Sequence, residues 1–208
     1  MLLEFRDVWK SFGGGYILKG VNLAVDRGEM AAVVGSNGSG KTTLLRLASG
    51  LVAPSRGRVL IDGVDARTTA AKALLGYLPH HPPLYGDLTV RENLLYYAGL
   101  YGQVDLDGVS PVVEDLGLSP MMDRRVAELS YGWRKRVDLV RTLIHDPPLL
   151  LLDEPFSGLD DRGRGWLSGF LAREVSSGKA VVMTSPRRDL PPDRVYEIRE
   201  GSLIVAPS

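Results

Sequence analysis

One short stretch of the chain constrains its fold more than any other. Residues 35–42 read GSNGSGKT and match the pattern G-x-x-x-x-G-K-[ST]. The apolar run from Met30 to Val34 precedes the stretch and predicts a buried strand, and leucines at helical spacing follow it from Leu44 to Leu51. A strand, a glycine loop and a helix in this order predict an α/β fold with a phosphate-binding loop.

The chemistry of such a loop follows from its residue types. Glycines let the backbone curl until its N–H groups face a polyphosphate, and the N-terminus of the next helix adds positive potential. Lys41 is expected to reach the outer phosphates and the Thr42 hydroxyl to hold Mg²⁺. The alternative, a glycine-rich turn with an exposed lysine, is less consistent with the flanking strand and helix.

A second signal is a pair of carboxylates after an apolar run. Leu149 to Leu152 predict a central parallel strand, and Asp153 and Glu154 follow directly. Open α/β sheets bind their ligands at the carboxyl ends of their strands. Asp153 is therefore a candidate metal ligand, and Glu154 is suited to orient or deprotonate a water that attacks a terminal phosphate. The alternative is that the pair only ends a strand and caps a turn.

Composition excludes several other classes of protein. The 208 residues carry 25 basic and 25 acidic side chains, no cysteine and three histidines, and 44% are hydrophobic. This favours a globular chain with a sizeable core and argues against disulfides, a zinc cluster or a nucleic-acid partner. The N-terminus meets charge at once, and no window approaches the roughly 18 to 20 apolar residues of a spanning helix.

The pattern between the two signals is helical. Residues 89–92 read TVRE, a capping box that predicts a helix start, and Gly102 is expected to end that helix. A further helix around Trp166, a strand at residues 180–183 and a terminal hairpin around Gly201 are also expected. We predict a single domain in which residues 1–82 and 145–208 form the α/β core with an N-terminal β subdomain, and residues 83–144 form a helical subdomain.

At this point the chain resembles, over essentially its whole length, the nucleotide-binding subunits of ATP-binding cassette (ABC) systems. Residues 129–133, LSYGW, resemble the signature LSGGQ of that family. Residues 157–160, SGLD, resemble its D-loop, residues 76–80, GYLPH, its Q-loop, and Phe12 its aromatic adenine platform. The resemblance implies a P-loop NTPase (RecA-like) core of the ABC ATPase type, with antiparallel β and helical subdomains.

The resemblance also implies a head-to-tail homodimer in which ATP with Mg²⁺ lies between the loop of one copy and the signature of the other. Glu154, Lys41 and His80 would be catalytic, and Thr42, Asp153 and His80 would serve the metal. Asp160 belongs to the D-loop, and Ser130, Tyr131 and Gly132 would act across the interface, although Ser130 is equally suited to be a simple N-cap. The residues expected to bind ATP are Phe12, Gly35, Ser36, Asn37, Gly38, Ser39, Gly40, Lys41, Thr42 and Thr43.

Three positions depart from the family pattern. The signature has Tyr131 and Trp133 in place of a glycine and the glutamine, and His80 stands where the Q-loop has glutamine. Pro186 occupies the place of the switch histidine, and proline has no N–H to donate. We expect slow hydrolysis that still depends on Glu154, with His80, Ser185, Arg187 or Arg188 as substitutes for the missing imidazole. The basic run at residues 134–136 is interpreted as a solvated helix face.

The resulting interpretation is the ATPase subunit of an ABC transporter, peripheral on the cytoplasmic face of the membrane through a separate permease. The resemblance favours an exporter, with the haem exporter of cytochrome c maturation as one subtype. Leu84 and Tyr85, together with Tyr96 and Tyr97, are candidates for the permease-docking surface, the alternative being core residues. Two other functions stay open: an ATP-dependent dimerising module with little hydrolysis, and a soluble ABC ATPase outside transport.

Overall fold

A computed structural model describes residues 1–185 and 192–206 of the chain. Strands and helices alternate through most of it, as the sequence pattern predicts. The strands are β1 (Leu3–Ser11), β2 (Tyr16–Val25), β3 (Met30–Val34), β4 (Arg56–Ile61), β5 (Val64–Asp65), β6 (Leu75–Leu78), β7 (Leu149–Asp153), β8 (Ala180–Ser185), β9 (Arg194–Arg199) and β10 (Ser202–Val205). The helices are α1 (Lys41–Ala48), α2 (Thr69–Lys72), α3 (Val90–Leu100), α4 (Ser110–Asp115), α5 (Tyr131–Leu143) and α6 (Asp161–Ser176).

The larger sheet positions the site. Within the described residues its strand order is β10-β9-β3-β8-β7-β6, and the strands from β9 to β6 run parallel. Every residue of β7 is buried, as expected for a central parallel strand that is covered on both faces. Because the strands are parallel, the carboxyl ends of β3, β6, β7 and β8 all lie at the same edge of the sheet.

The two faces of this sheet pack against different partners. One face contributes residues such as Leu150 and Leu152 of β7 to a core shared with α3, α5 and α6. The other contributes Leu149 and Leu151 to a core shared with α1 and the smaller sheet. The alternation follows from the two-residue period of a strand. An apolar run without polar interruptions is thus explained by burial on both sides.

The smaller sheet is antiparallel, with the strand order β2-β1-β4-β5 in the described part of the chain. The segment between β6 and β7 contains α3, α4 and α5, and α3 begins at the predicted capping box, where Thr89 and Glu92 bond reciprocally. The predicted α/β fold with an antiparallel β part and a helical insertion is confirmed. Among residues 1–185 and 192–206, no helix combines the length and apolar character needed to cross a bilayer.

Candidate functional site

The glycine loop after β3 leads directly into α1. Gly38 and Gly40 have φ angles of 80° and 110°, left-handed values that glycine adopts without strain. At Gly40, a Cβ would lie 3.1 Å from the side chains of both Ile17 and Leu18, so a side chain here would also require these neighbours to shift. No side chain caps the N-terminus of α1. The first N–H groups of this helix are therefore available to an anion.

Two polar side chains of the loop are positioned to bind a phosphate. Lys41 is only 6% exposed, and its Nζ donates to the carbonyls of Gly35 and Ser36 at 2.8 and 3.0 Å. Ser39 Oγ is buried with no hydrogen-bond partner among the described residues. A buried hydroxyl without a partner is unfavourable, and a phosphate oxygen would satisfy it. The loop thus fits the polyphosphate that its sequence predicts.

Two adjoining clefts border the loop. The first, about 590 Å³, is lined by loop residues together with Thr42, Thr43, His80 and Glu154. The second, about 840 Å³, is lined by residues 36–39 and by Tyr16. The structure therefore brings the predicted loop, base and Q-loop residues to one cleft.

Phe12 follows the end of β1, is 56% exposed, and lies under the Lys10 ammonium at 4.5 Å. The cleft linings contain Tyr16 rather than Phe12. The adenine platform at Phe12 stays a prediction. Tyr16, which is 53% exposed, is a second aromatic candidate that sequence reasoning missed.

Asp153 is held on both of its carboxylate oxygens. It is 1% exposed, its Oδ2 accepts from Thr42 Oγ1 at 2.8 Å, and its Oδ1 accepts from Thr184 Oγ1 at 2.6 Å. Thr184 was not predicted as a site residue. The only available signal was its place near the end of the strand that pairs with β7.

The donor set suits Mg²⁺. Thr42 Oγ1 and Asp153 Oδ2 are hard oxygen ligands 2.8 Å apart, the type of ligand that Mg²⁺ prefers, and Thr42 lines the first cleft. No cluster of three or more His, Cys, Asp or Glu residues occurs in the described ranges. The chain would therefore supply few ligands, and Mg²⁺ in nucleotide sites usually takes the rest from phosphates and waters.

Glu154 has a constrained position. Its φ is 47°, a left-handed value that is costly for a residue other than glycine, and its N–H donates to Thr184 Oγ1 at 3.0 Å. Its Oε2 lies 3.6 Å from His80 Nδ1. The structure thus brings the predicted base and the Q-loop histidine together. The role of His80 as a metal ligand stays a prediction.

The signature segment begins α5. Ser130 is the N-cap residue, is exposed, and makes no side-chain cap hydrogen bond. By contrast, Thr89 and Asp160 cap α3 and α6 through their side chains. At Gly132 a Cβ would lie 2.9 Å from the carbonyl oxygen of Gly158, so the position requires glycine. The Ser130 hydroxyl and the first N–H groups of α5 are left for a ligand outside the helix.

Tyr131 contacts its own chain, although 40% of its surface is exposed. Its ring lies over Gly158, where a Cβ would come within 2.4 Å of the ring, and its hydroxyl donates to the backbone carbonyl of His80 at 3.0 Å. Burial raises the pKa of Tyr131, so its hydroxyl stays protonated at neutral pH. Nothing in the sequence indicates this contact, because it joins residues that lie far apart along the chain.

The interpretation of residues 134–136 as a solvated face is wrong. Lys135 has no exposed surface, and its Nζ donates to the carbonyls of Pro79 and Asp153, both at 3.4 Å. Burial lowers the pKa of Lys135. Arg136 Nη2 donates to both carboxylate oxygens of Asp160 at 2.8 Å, so the predicted D-loop residue is tied to α5. The basic run faces inward because it binds carbonyls and a carboxylate of its own chain.

Of the residues proposed to replace the switch histidine, only His80 and Ser185 lie within the described part of the chain. Ser185 ends β8 and is 4% exposed. Pro186, Arg187 and Arg188 lie outside the described residues.

Comparison with known proteins agrees with this geometry. The family model described as "ABC transporter" matches residues 18–157. The chain is 36% identical over 210 residues to the "Nod factor export ATP-binding protein I" of Burkholderia lata, covering 97% of this chain and 69% of that protein. It is 34% identical over 214 residues to the "Probable multidrug ABC transporter ATP-binding protein YbhF" of Escherichia coli strain K12, covering 99% of this chain and 37% of that protein. Neither name supports the haem-exporter subtype.

A solved structure extends the likeness to the fold. "Dimeric Structure of MJ0796, a Bacterial ABC Transporter Cassette" superposes with a TM-score of 0.85 at 25% identity, covering 97% of this chain and 96% of that one. The matched family model covers more than half of the chain and includes the glycine loop, the signature and the two carboxylates. The chain therefore belongs to the ABC transporter family, as an ATP-binding domain.

Proposed function

We propose that this chain binds and hydrolyses ATP as a subunit of a membrane exporter, with two copies closing head to tail on ATP. The observation that carries the proposal is the convergence of Lys41, Thr42, Asp153 and Glu154 at one edge of the sheet. The name of the Burkholderia relative contains the word export, which supports the direction of transport.

Each residue has a role that its geometry supports. Lys41 holds the outer phosphates through its ammonium, and the N–H groups at the start of α1 add donors. Mg²⁺, held by Thr42 and Asp153, would neutralise charge that develops on the phosphates. Glu154 accepts a proton from the attacking water, and His80 lies close enough to orient its carboxylate. With these groups we expect hydrolysis without an imidazole at position 186, at a slow rate.

The same chain supplies only part of each composite site. Ser130 does not contribute to the lining of the cleft in its own chain, and it is exposed at an uncapped helix N-terminus. A second copy would place this end against the γ-phosphate. The dimeric form of the solved cassette supports this arrangement.

We further propose that residues 83–144 form a helical subdomain, inserted between core residues 1–82 and 145–208, that carries the permease contact. A groove of about 470 Å³ is lined by Arg46, Tyr77, His81, Tyr97, Tyr101 and Arg141, among others. Tyr85 and Tyr96 are exposed, whereas Leu84 and Tyr97 are half-buried. This division of exposure favours Tyr85 and Tyr96 as direct contacts. Binding of a permease here would hold the subunit at the cytoplasmic face of the membrane.

The decisive experiment is steady-state ATP hydrolysis by the wild type and by Glu154→Gln, alone and with the membrane partner in lipid. We expect turnover that needs Mg²⁺ and falls about 10²- to 10⁴-fold in Glu154→Gln, the range for loss of a general base, while ATP-dependent dimerisation persists. Glu114→Gln, an exposed change in α4, is the matched control and should leave turnover unchanged.

Dimerisation without turnover in the wild type, even with the permease, would contradict the proposal. It would indicate an ATP-gated clamp instead.

A further inference from the structure

We propose that Tyr131 is a positioning residue that holds His80 against Glu154. The inference rests on the proposed ATPase function, because Glu154 is the base in that reaction. It joins two of the positions at which this chain departs from the family pattern, His80 and Tyr131, into one structural unit.

The first observation is a double attachment of α5 to the segment after β6. Tyr131 Oη donates to the carbonyl of His80 at 3.0 Å, and Lys135 Nζ donates to the carbonyl of Pro79 at 3.4 Å. Residues four apart lie on the same face of a helix, so one face of α5 holds two consecutive carbonyls. Lys135 is fully buried, which fixes the inner end of this attachment.

The second observation is what the held segment carries. The His80 ring extends toward the cleft, where its Nδ1 lies 3.6 Å from Glu154 Oε2, and it packs edge-on against the His81 ring. The backbone of Glu154 is itself held by Thr184. With Glu154 anchored from one side and the His80 backbone from the other, the distance between the two side chains depends on Tyr131.

The third observation is what places Tyr131. Its ring rests on Gly158, where a Cβ would approach to 2.4 Å, and its neighbour Gly132 approaches the Gly158 carbonyl. The ring therefore occupies a site that only glycine leaves open. Because Ser130 directly precedes Tyr131, the Tyr131 hydroxyl connects the signature to the His80 backbone.

The first test reads His80 directly, without nucleotide. Protein labelled with ¹³C and ¹⁵N in its three histidines gives three sets of imidazole signals, which single His→Gln variants assign. In Tyr131→Phe, which removes only the hydroxyl, we expect the His80 signals to shift and those of His145 to stay in place. Tyr101→Leu is the control: it removes the ring that stacks on His145 with centroids 3.7 Å apart, so it should shift the His145 signals and leave those of His80 unchanged.

The second test separates positioning from binding. In Tyr131→Phe we expect kcat to fall about 2- to 10-fold, the range for one net hydrogen bond, while the dissociation constant for ATP and the KM change less than twofold. In a His80→Ala background, Tyr131→Phe should have no further effect on kcat, because the group that it positions is gone. Gly158→Ala, which displaces the ring but keeps the hydroxyl, should shift the same His80 signals.

The outcomes are distinct. Unchanged His80 signals in Tyr131→Phe, or an equal loss of kcat with and without His80, would overturn the inference while leaving the ATPase proposal intact. Absence of wild-type turnover in every assembled state would contradict the ATPase proposal, and with it the catalytic role of Tyr131. The histidine signals alone would then decide whether Tyr131 holds His80.

Discussion

The helices α1 and α5 both present an uncapped N-terminus, yet they begin in opposite ways. α1 starts at Lys41, which is 6% exposed and bonded to its own loop, after a glycine with a left-handed φ of 110°. α5 starts after Ser130, which is exposed and makes no cap hydrogen bond. One end is enclosed by its own chain, whereas the other faces outward. In the proposed dimer, this difference indicates that each copy supplies the loop of one nucleotide site and the signature of the other.

The other two helices of eight or more residues in the described ranges serve as a reference. Thr89 and Asp160 cap α3 and α6 with their side chains, which satisfies N–H groups that would otherwise need water or a ligand. The missing caps on α1 and α5 therefore mark the two helix ends with a proposed ligand.

The largest expected effect tests the enclosed end. Lys41→Ala should raise the dissociation constant for ATP about 10- to 100-fold, because a hydrogen bond to a charged group contributes about 1.5 to 3 kcal/mol. Titration with a fluorescent ATP analogue measures the change. Lys72→Ala, a lysine of α2 that does not line the loop clefts, should bind normally. Equal affinity for ATP in both variants would show that the N-terminus of α1 is not the phosphate site.

The next effect concerns the packing behind the outward-facing N-terminus of α5. Gly158→Ala should lower the free energy of unfolding by about 2 kcal/mol, since Gly158 has φ of 76° and the new Cβ would meet the Tyr131 ring. In a Tyr131→Ala background the same Gly158→Ala change should cost less, because the clash with the ring is absent and the backbone strain remains. Denaturant unfolding of the two single variants and the double variant measures this. An equal cost of Gly158→Ala in both backgrounds would contradict the contact.

A smaller effect is expected at Ser130 itself. Ser130→Ala should leave ATP binding to the monomer unchanged and weaken ATP-dependent dimerisation about 10-fold, since the hydroxyl would meet a charged phosphate of the other copy. Because Ser130 makes no cap bond, the free energy of unfolding should change by less than about 0.5 kcal/mol. Analytical ultracentrifugation of the Glu154→Gln background gives the dimer affinity. A clear loss of stability would instead show that Ser130 is a simple cap.

The smallest effect is expected at Thr89, whose side chain caps a helix, whereas that of Ser130 does not. Thr89→Ala should cost about 1 kcal/mol of stability, since Thr89 forms a capping box with Glu92, and should leave dimerisation unaffected. Thermal unfolding beside Ser130→Ala completes the comparison. If Thr89→Ala weakened the dimer as much as Ser130→Ala does, the outward end of α5 would have no special role.

Local patterns predict the fold well in the regions where hydrophobic periodicity and helix-capping residues determine the secondary structure. The strand before the glycine loop, the start of α3 at Thr89 and the hairpin at Gly201 follow from neighbouring residues alone. The pairing of β1 with β4 does not, because it joins segments more than 40 residues apart and leaves no mark on either strand. The order of strands in the larger sheet is likewise a property of long-range packing.

The candidate site shows the same division between features that local motifs predict and features that depend on long-range contacts. The roles assigned to Lys41, Asp153 and Glu154 come from motifs whose spacing carries the chemistry. Thr184, which bonds to Asp153 and Glu154, and Lys135, which is buried, have no such motif. A lysine in a basic run favours a solvated face on charge alone, and only the carbonyls that surround Lys135 in three dimensions reverse that expectation.

The left-handed backbone of Glu154 sets the stability of the fold against the proposed catalytic role of this residue. Glycine would adopt a φ of 47° freely, so Glu154→Gly removes backbone strain of about 1 kcal/mol together with the proposed base. Under the proposed function, a chain that only clamped ATP would have no need of this strain, whereas a chain that hydrolyses ATP requires a carboxylate held in place at position 154.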